Sequence, residues 1–346
     1  MKRQSNIELL RCLSMFMVLL LHSSFLAFGM PDSEAVQSNP WLWGGRIAQQ
    51  GIGIVAVNVF VLISGWFSIK PKKESICSFL FQIAFLQVLS FVVFVSVGLV
   101  EFNKEGIKNL MMLKPSQGWF IKAYLLLYII SPVLNVFVEN TSKRNLRNVL
   151  IAYWGFLIIL GWVFDATDYI NNGYSIVSFV GLYLLARYMK VWNPQWAGKD
   201  KMKDISVYIL CCVGFFCVIF FGGLQGLSKT SYFAWKLCSY VSPFTVIGAI
   251  SLLLFFSKLK MNYNAFVNLC GKGCFAVYLL HGLWGYWFDT LKYINTNYSG
   301  IIYILSLLSF MLIVYFGSIF VDLLRIRVWT VVEQLIKHKL VKFKIG

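Results

Sequence analysis

Charge is scarce in this chain: of 346 residues only 13% are Asp, Glu, Lys or Arg, and just 14 are acidic. A soluble domain carries about 25% charged residues, so a water-exposed surface of ordinary composition is excluded. Prolines number seven, and no Pro-, Gly- or Ser-rich linker, low-complexity run or repeat period interrupts the sequence. The eight cysteines are scattered, mostly within apolar segments, as Cys211 and Cys212 or Cys270 and Cys274 show. That pattern has neither the paired spacing of a zinc site nor a secreted disulfide framework. They read as small buried hydrophobes, and neither a metal centre nor a bound cofactor is expected. Histidine occurs three times, at His22, His281 and His338.

What the chain has instead is apolar length. It is 59% hydrophobic, with mean hydropathy +0.71, which predicts an all-α, polytopic membrane protein. About ten runs can each cross a hydrocarbon core of roughly 30 Å. They cover residues 7–28, 48–69, 76–100, 118–138, 147–164, 173–190, 205–223, 237–257, 266–288 and 301–323. No stretch between them suffices for another folded domain, so residues 1–325 are expected to form one transmembrane domain. Residues 326–346, with Trp329, Val332, Leu335, Ile336 and Leu340 among lysines, read as a basic amphipathic interfacial tail in which His338 is solvated.

The net charge of +17 does not indicate nucleic acid, because its distribution follows the loops. With the N-terminus inside, the clusters Lys2–Arg3, Lys70–Lys73, Lys143–Arg147, Arg187–Lys203 and Lys258–Lys272, and the C-terminal tail, all fall on the cytoplasmic side, as the positive-inside rule requires. Basic residues are thus an orientation signal first and a site for anionic ligands second. The N-terminus imitates a signal peptide, with Lys2 and Arg3, an apolar run and Ala27-Phe28-Gly29. Retention is expected, since cleavage would remove the segment that holds Arg11 and His22.

Arg11 and His22 share that first apolar segment. Eleven steps at about 100° each return His22 to within about 20° of Arg11, with about 16 Å between them along the axis. Glu8, three residues before Arg11, falls in the same stripe. Ionisable groups facing lipid are costly, so the line Glu8, Arg11, His22 is expected to face protein or a wet cavity.

Other polar positions carry two readings each. Asn58, Ser64 and Gly65 in the second segment suit helix packing, and the following Lys70, Lys72 and Lys73 suit either a topology anchor or the phosphates of a nucleotide-containing donor. Trp119 and Tyr124 fit an aromatic belt, and Lys122 either snorkels or faces a site. His281, in the ninth segment, lies fifteen residues along a helix parallel to the first, as does His22, so both are expected about 22 Å from the cytoplasmic boundary.

Taken together, Glu8 and Arg11 followed by His22, Asn58 through Ser64 and Gly65, Trp119 with Phe120, Tyr124 and Pro132, and Tyr278 ahead of His281 resemble the membrane acyltransferase-3 family over nearly the whole chain. The resemblance implies O-acylation of a hydroxyl on an envelope glycan or glycolipid, usually acetylation from cytoplasmic acetyl-CoA as co-substrate, at a bacterial inner membrane with both termini cytoplasmic. It also implies that Arg11 and His22 are essential. His22 is then the expected general base, with His281 orienting it, binding the acceptor, or serving as an alternative base. An acyl-histidine intermediate is a further route. Arg11 either holds the donor or pairs with Glu8. Two departures stand out: Lys70 and Lys73 occupy positions where members often carry two Arg, and Asn58 one where they often carry Asp. Some members add an extracytoplasmic hydrolase-like domain not found in this sequence, so transfer is expected to be completed unaided or with a partner. The rival reading is a transporter or flippase of a lipid-linked glycan, which the absence of an inverted repeat disfavours. Oligomeric state is not legible.

Overall fold

A computed structural model describes residues 3–110, 118–165, 169–198, 200–282 and 286–345, with backbone only at 109–110 and 336–345. Lys2 and Lys199, and the side chains of Lys337 and His338, on which the charge and tail readings drew, lie outside the described residues. The described residues form helices and no strands. In chain order these are α1 (Ser5–His22), α2 (Phe25–Phe28), α3 (Ser33–Ser38), α4 (Pro40–Gly53), α5 (Ala56–Phe67), α6 (Lys73–Ser96), α7 (Lys104–Leu110) and α8 (Trp119–Asn140). They continue with α9 (Lys143–Phe156), extended by a π-helical segment Leu157–Val163, then α10 (Ile176–Trp192), α11 (Lys201–Leu224), α12 (Thr230–Leu237), α13 (Pro243–Ser257), α14 (Ala265–His281), α15 (Tyr286–Asn297) and α16 (Gly300–Ile345). Seven helical stretches are long and apolar enough to cross a membrane, or eight if α14 and α15 make one span. The protein is therefore an all-α, multi-pass membrane protein. Two of the expected ten spans correspond to shorter helices, α10 with 17 residues and α13 with 15.

The chain divides into two compact units, Met1–Pro71 with Gly118–Asn268, and Lys72–Gln117 with Leu269–Gly346. In the first, α5 is the central helix, packed by α1, α10 and α13, while α11 lies along α4 and α13. Lipid tails are as apolar as leucine, so these helices associate through close packing at small residues rather than by hiding from water. A Cβ on Gly53 would stand 2.8 Å from the Met17 carbonyl oxygen, and one on Gly65 would stand 2.6 Å from that of Tyr183. These glycines set the crossings of α4 on α1 and of α5 on α10.

Helix breaks inside the apolar layer are each closed by side chains. The carbonyls of Gly51 and Ile52, freed where α4 gives way to α5, accept from Cys212 Sγ (3.7 Å) and Tyr208 Oη (3.0 Å) of α11. The end of the π-helical segment is met by Lys236, whose Nζ donates to the carbonyls of Trp162 and Val163 and pairs with Asp165. Such satisfaction is obligatory where no water reaches.

In the second unit α6 packs on α16. Gln82 Nε2 donates to Asp322 Oδ1 (2.8 Å), which also pairs with Arg325 (2.9 Å), and Phe81 lies 4.8 Å from Trp329. The tail from residue 326 continues α16 without a break, because neither Pro nor Gly occurs between Gly317 and Gly346. Apolar character fades there, but nothing interrupts the hydrogen-bond ladder.

Gly65→Val is expected to destabilise the fold by about 1 to 3 kcal/mol through overpacking at the α5–α10 crossing. Gly45→Ala, whose Cβ would meet nothing within 4 Å, should be neutral or slightly stabilising. Thermal unfolding in detergent, followed by size exclusion, checks the contrast, and equal behaviour of the two variants contradicts it.

Candidate active site

On α1 the expected polar line is present and already partly paired. Glu8, with its side chain 6% exposed, holds Arg3 (2.9 Å) and the Nε of Arg11 (3.4 Å). The i,i+3 spacing brings acid and base together on one helix face. The helix start is fixed by Ser5 Oγ, which accepts from the backbone N–H of Asn264 (2.9 Å) and from Asn268 Nδ2 (2.8 Å).

His22 is half-buried and is the last residue of α1. The helix stops there because Ser23 and Ser24 turn their hydroxyls back onto the carbonyls of Leu20 (2.9 Å) and Leu21 (3.0 Å), a local bonding pattern that competes with helix continuation. Two amides of α4 hold the turn. Gln49 Nε2 donates to the Leu20 carbonyl (3.0 Å) and to Ser23 Oγ (2.6 Å). Gln50 accepts from Ser24 Oγ and donates to Cys238 Sγ (3.3 Å). One turn before them on α4, Arg46 is buried, with its guanidinium 3.7 Å from the ring centroid of Phe28 and 4.9 Å from that of Trp43. None of these α4 residues was singled out from the sequence. The signal available was a Gln-Gln pair inside an otherwise apolar segment.

His281, buried at the end of α14, belongs to the second unit. Its Nδ1 lies 3.0 Å from the Val277 carbonyl oxygen, which can only accept, so Nδ1 carries a proton. Trp287 meets the imidazole edge-on with ring centroids 5.4 Å apart.

Ser64 Oγ and Tyr124 Oη are 3.1 Å apart, joining α5 to α8. Asn58, fully buried, donates from Nδ2 to the Tyr240 carbonyl (2.9 Å), while its Oδ1 has no partner among the described residues. The Tyr240 ring stacks on Trp119 with centroids 5.8 Å apart, and Tyr174 completes the aromatic group at 4.5 Å from Trp119. Asn58 and Trp119 are thereby linked through one residue that sequence reasoning did not name. Lys122 is exposed on α8.

Lys70 is exposed and follows a pinned turn. Ser68 has φ 61°, its hydroxyl donates to Asn135 Oδ1 (3.0 Å), and the backbone N–H of Ile69 donates to Tyr183 Oη (3.0 Å). Tyr183 in turn donates to Asn135 Oδ1 (2.7 Å). Lys73, also exposed, opens α6 in the second unit.

These observations define a multi-pass membrane protein with an acid-paired arginine and a buttressed histidine on one apolar helix. Residues 4–323 match the acyltransferase domain of the acyltransferase-3 family, so the chain belongs to that family and is a membrane acyltransferase. Comparison with curated proteins and with solved structures yields no match.

Replacing Glu8 by Gln leaves Arg3 and Arg11 without their counter-charge. A loss of about 1 kcal/mol is expected, because the two arginines left behind are partly open to solvent, read as lower thermal stability in detergent. Adding Arg11→Gln should restore part of it. Unchanged stability in the single variant contradicts the pairing.

Proposed function

We propose that the protein is an O-acyltransferase of a bacterial inner membrane. It moves an acetyl group from cytoplasmic acetyl-CoA to a hydroxyl of a cell-envelope glycan or glycolipid. The observation that carries the reading is the turn after His22: Gln49 and Gln50 hold the backbone and serines of the turn in which an apolar helix ends on a histidine, in a chain of an acyltransferase family.

In this reading the acceptor hydroxyl gives its proton to His22 as its oxygen attacks the thioester carbonyl. The tetrahedral intermediate collapses with cleavage of the C–S bond, and the departing CoA thiolate takes the proton from the imidazolium. A positioned base of this kind contributes a factor of about 100 to 10,000. Arg11 has two roles open to it, the pairing with Glu8 and an approach to the donor. His281 serves as an acceptor-binding group or an alternative base. Lys70 and Lys73 face the cytoplasm, and the acyl group travels toward His22 along the face carrying Glu8 and Arg11.

His22→Ala is expected to lower acceptor-dependent release of CoA by about 100-fold or more, with His281→Ala impaired less. Activity of the His22 variant within a few-fold of wild type would falsify the assignment, and the reverse ranking moves the base to His281. A transporter would release no CoA at all.

Sidedness is tested separately with cysteines introduced at Ser33 and at Ser75 of a cysteine-depleted parent. An impermeant thiol reagent should label position 33 in intact cells and position 75 only after the membrane is opened. The opposite pattern reverses the orientation and removes the cytoplasmic donor from the Lys70 end.

A further inference from the structure

We propose that Arg187, with Lys190 and Lys70 beside it, forms a phosphate-binding site that holds the phosphorylated end of the donor. The inference rests on the acyl-CoA reading and names the residues that read its charge.

Close packing of α5 on α10 at Gly65, which meets Tyr183 and Ala186, brings the ends of the two helices together. Lys190 Nζ then lies 4.7 Å from the ring centroid of Trp66, and the Tyr183 hydroxyl receives the N–H of Ile69, the residue before Lys70. Arg187 follows Tyr183 by four residues and so shares its face of α10. The adjoining ends of α5 and α10, with the turn after α5, thus carry Lys190, Arg187 and Lys70.

Several other basic residues of the same unit already have partners, Arg46 among them, over the rings of Phe28 and Trp43. Arg3 and Arg11 are met by Glu8, Lys258 by Asp204, and Lys236 by Asp165. Among the described residues, no carboxylate pairs with Lys70, Arg187 or Lys190. Arg187 is half-buried, and its Nε is shielded from solvent with no hydrogen-bond partner among the described residues. A covered donor of a charged group without an acceptor is costly, and phosphate oxygens satisfy it. Guanidinium presents parallel N–H groups that match phosphate in two-pronged fashion, which the ammonium of Lys70 or Lys73 cannot do. A fork missing after the second span is therefore supplied from α10. In the proposed topology all three residues face the cytoplasm, where the donor enters.

An anionic lipid headgroup offers the same phosphate chemistry, so the experiment carries an arm for each source. The full chain is reconstituted in nanodiscs of phosphatidylcholine alone, and binding of CoA and of inorganic pyrophosphate is measured by calorimetry for wild type, Arg187→Gln, Arg187→Lys and Lys190→Gln. Arg187→Gln is expected to weaken both ligands by about tenfold or more, with Arg187→Lys recovering part and the exposed Lys190→Gln losing about threefold. Wild-type affinity for CoA in Arg187→Gln overturns the proposal. If that affinity is unchanged while retention of phosphatidylglycerol in mixed discs falls, the occupant is lipid, and the donor site is overturned. Arg187-dependent binding of pyrophosphate without any binding of CoA to wild type upholds the phosphate site and removes the acyl-CoA reading instead. Should Arg187→Gln fail to elute as a single species, Lys190→Gln decides, and no weakening there counts against the site.

Discussion

A helix that ends within an apolar segment has its last carbonyls best satisfied by protein, and α1 ends inside the apolar stretch Ser5–Phe28. Its final turn bears His22, and the carbonyl of Leu20 is received by Gln49 of α4. The requirement to satisfy backbone groups in hydrocarbon thus accounts for the amides that hold the turn on which His22 stands. The same necessity recurs at the end of α4, closed from α11, and at Lys236 beneath the π-helical segment. Interruptions of the helices are where polar side chains collect, and the candidate chemistry collects with them.

Close packing supplies the rest of the arrangement. Gly53 lets α4 approach α1 near Met17, which places Gln49 and Gln50 beside the His22 turn, and Gly65 lets α5 approach α10, which places Trp66 against Lys190. Gly53 lies at the junction of α4 and α5, and Gly65 lies near the end of α5. One tight crossing therefore serves the histidine end, and the other serves the basic end.

Much of the fold was legible because composition and apolar length are first-order signals of membrane helices. The Glu8–Arg11 pair was legible too, since i,i+3 neighbours meet within one helix. Contacts between distant helices were not: Ser64 with Tyr124, and Asn58 with Trp119 by way of Tyr240, depend on packing that no local spacing encodes. Gln49 and Gln50 carry no charge that would mark them in the sequence, yet a neutral amide can close a backbone gap without the cost of burying charge. The α10 end was hidden differently. Arg187 and Lys190 fitted the orientation rule so well that a second role had no separate sequence signal. Helix ends also departed from span ends, as α16 shows, because hydropathy marks where lipid is tolerated and hydrogen bonding marks where the helix stops.

That last helix has 46 residues, a rod of about 69 Å at about 1.5 Å per residue. A hydrocarbon layer of about 30 Å takes up less than half of it. At the tilt of about 20° usual for membrane helices, a long part of α16 stands in the headgroup layer and the water beyond as one piece with the part that crosses. A force or a docking event on the exposed end would be transmitted along the helix to Asp322, Arg325 and the helix face against α6, so the basic tail is mechanically a handle on the membrane domain rather than a loose appendage.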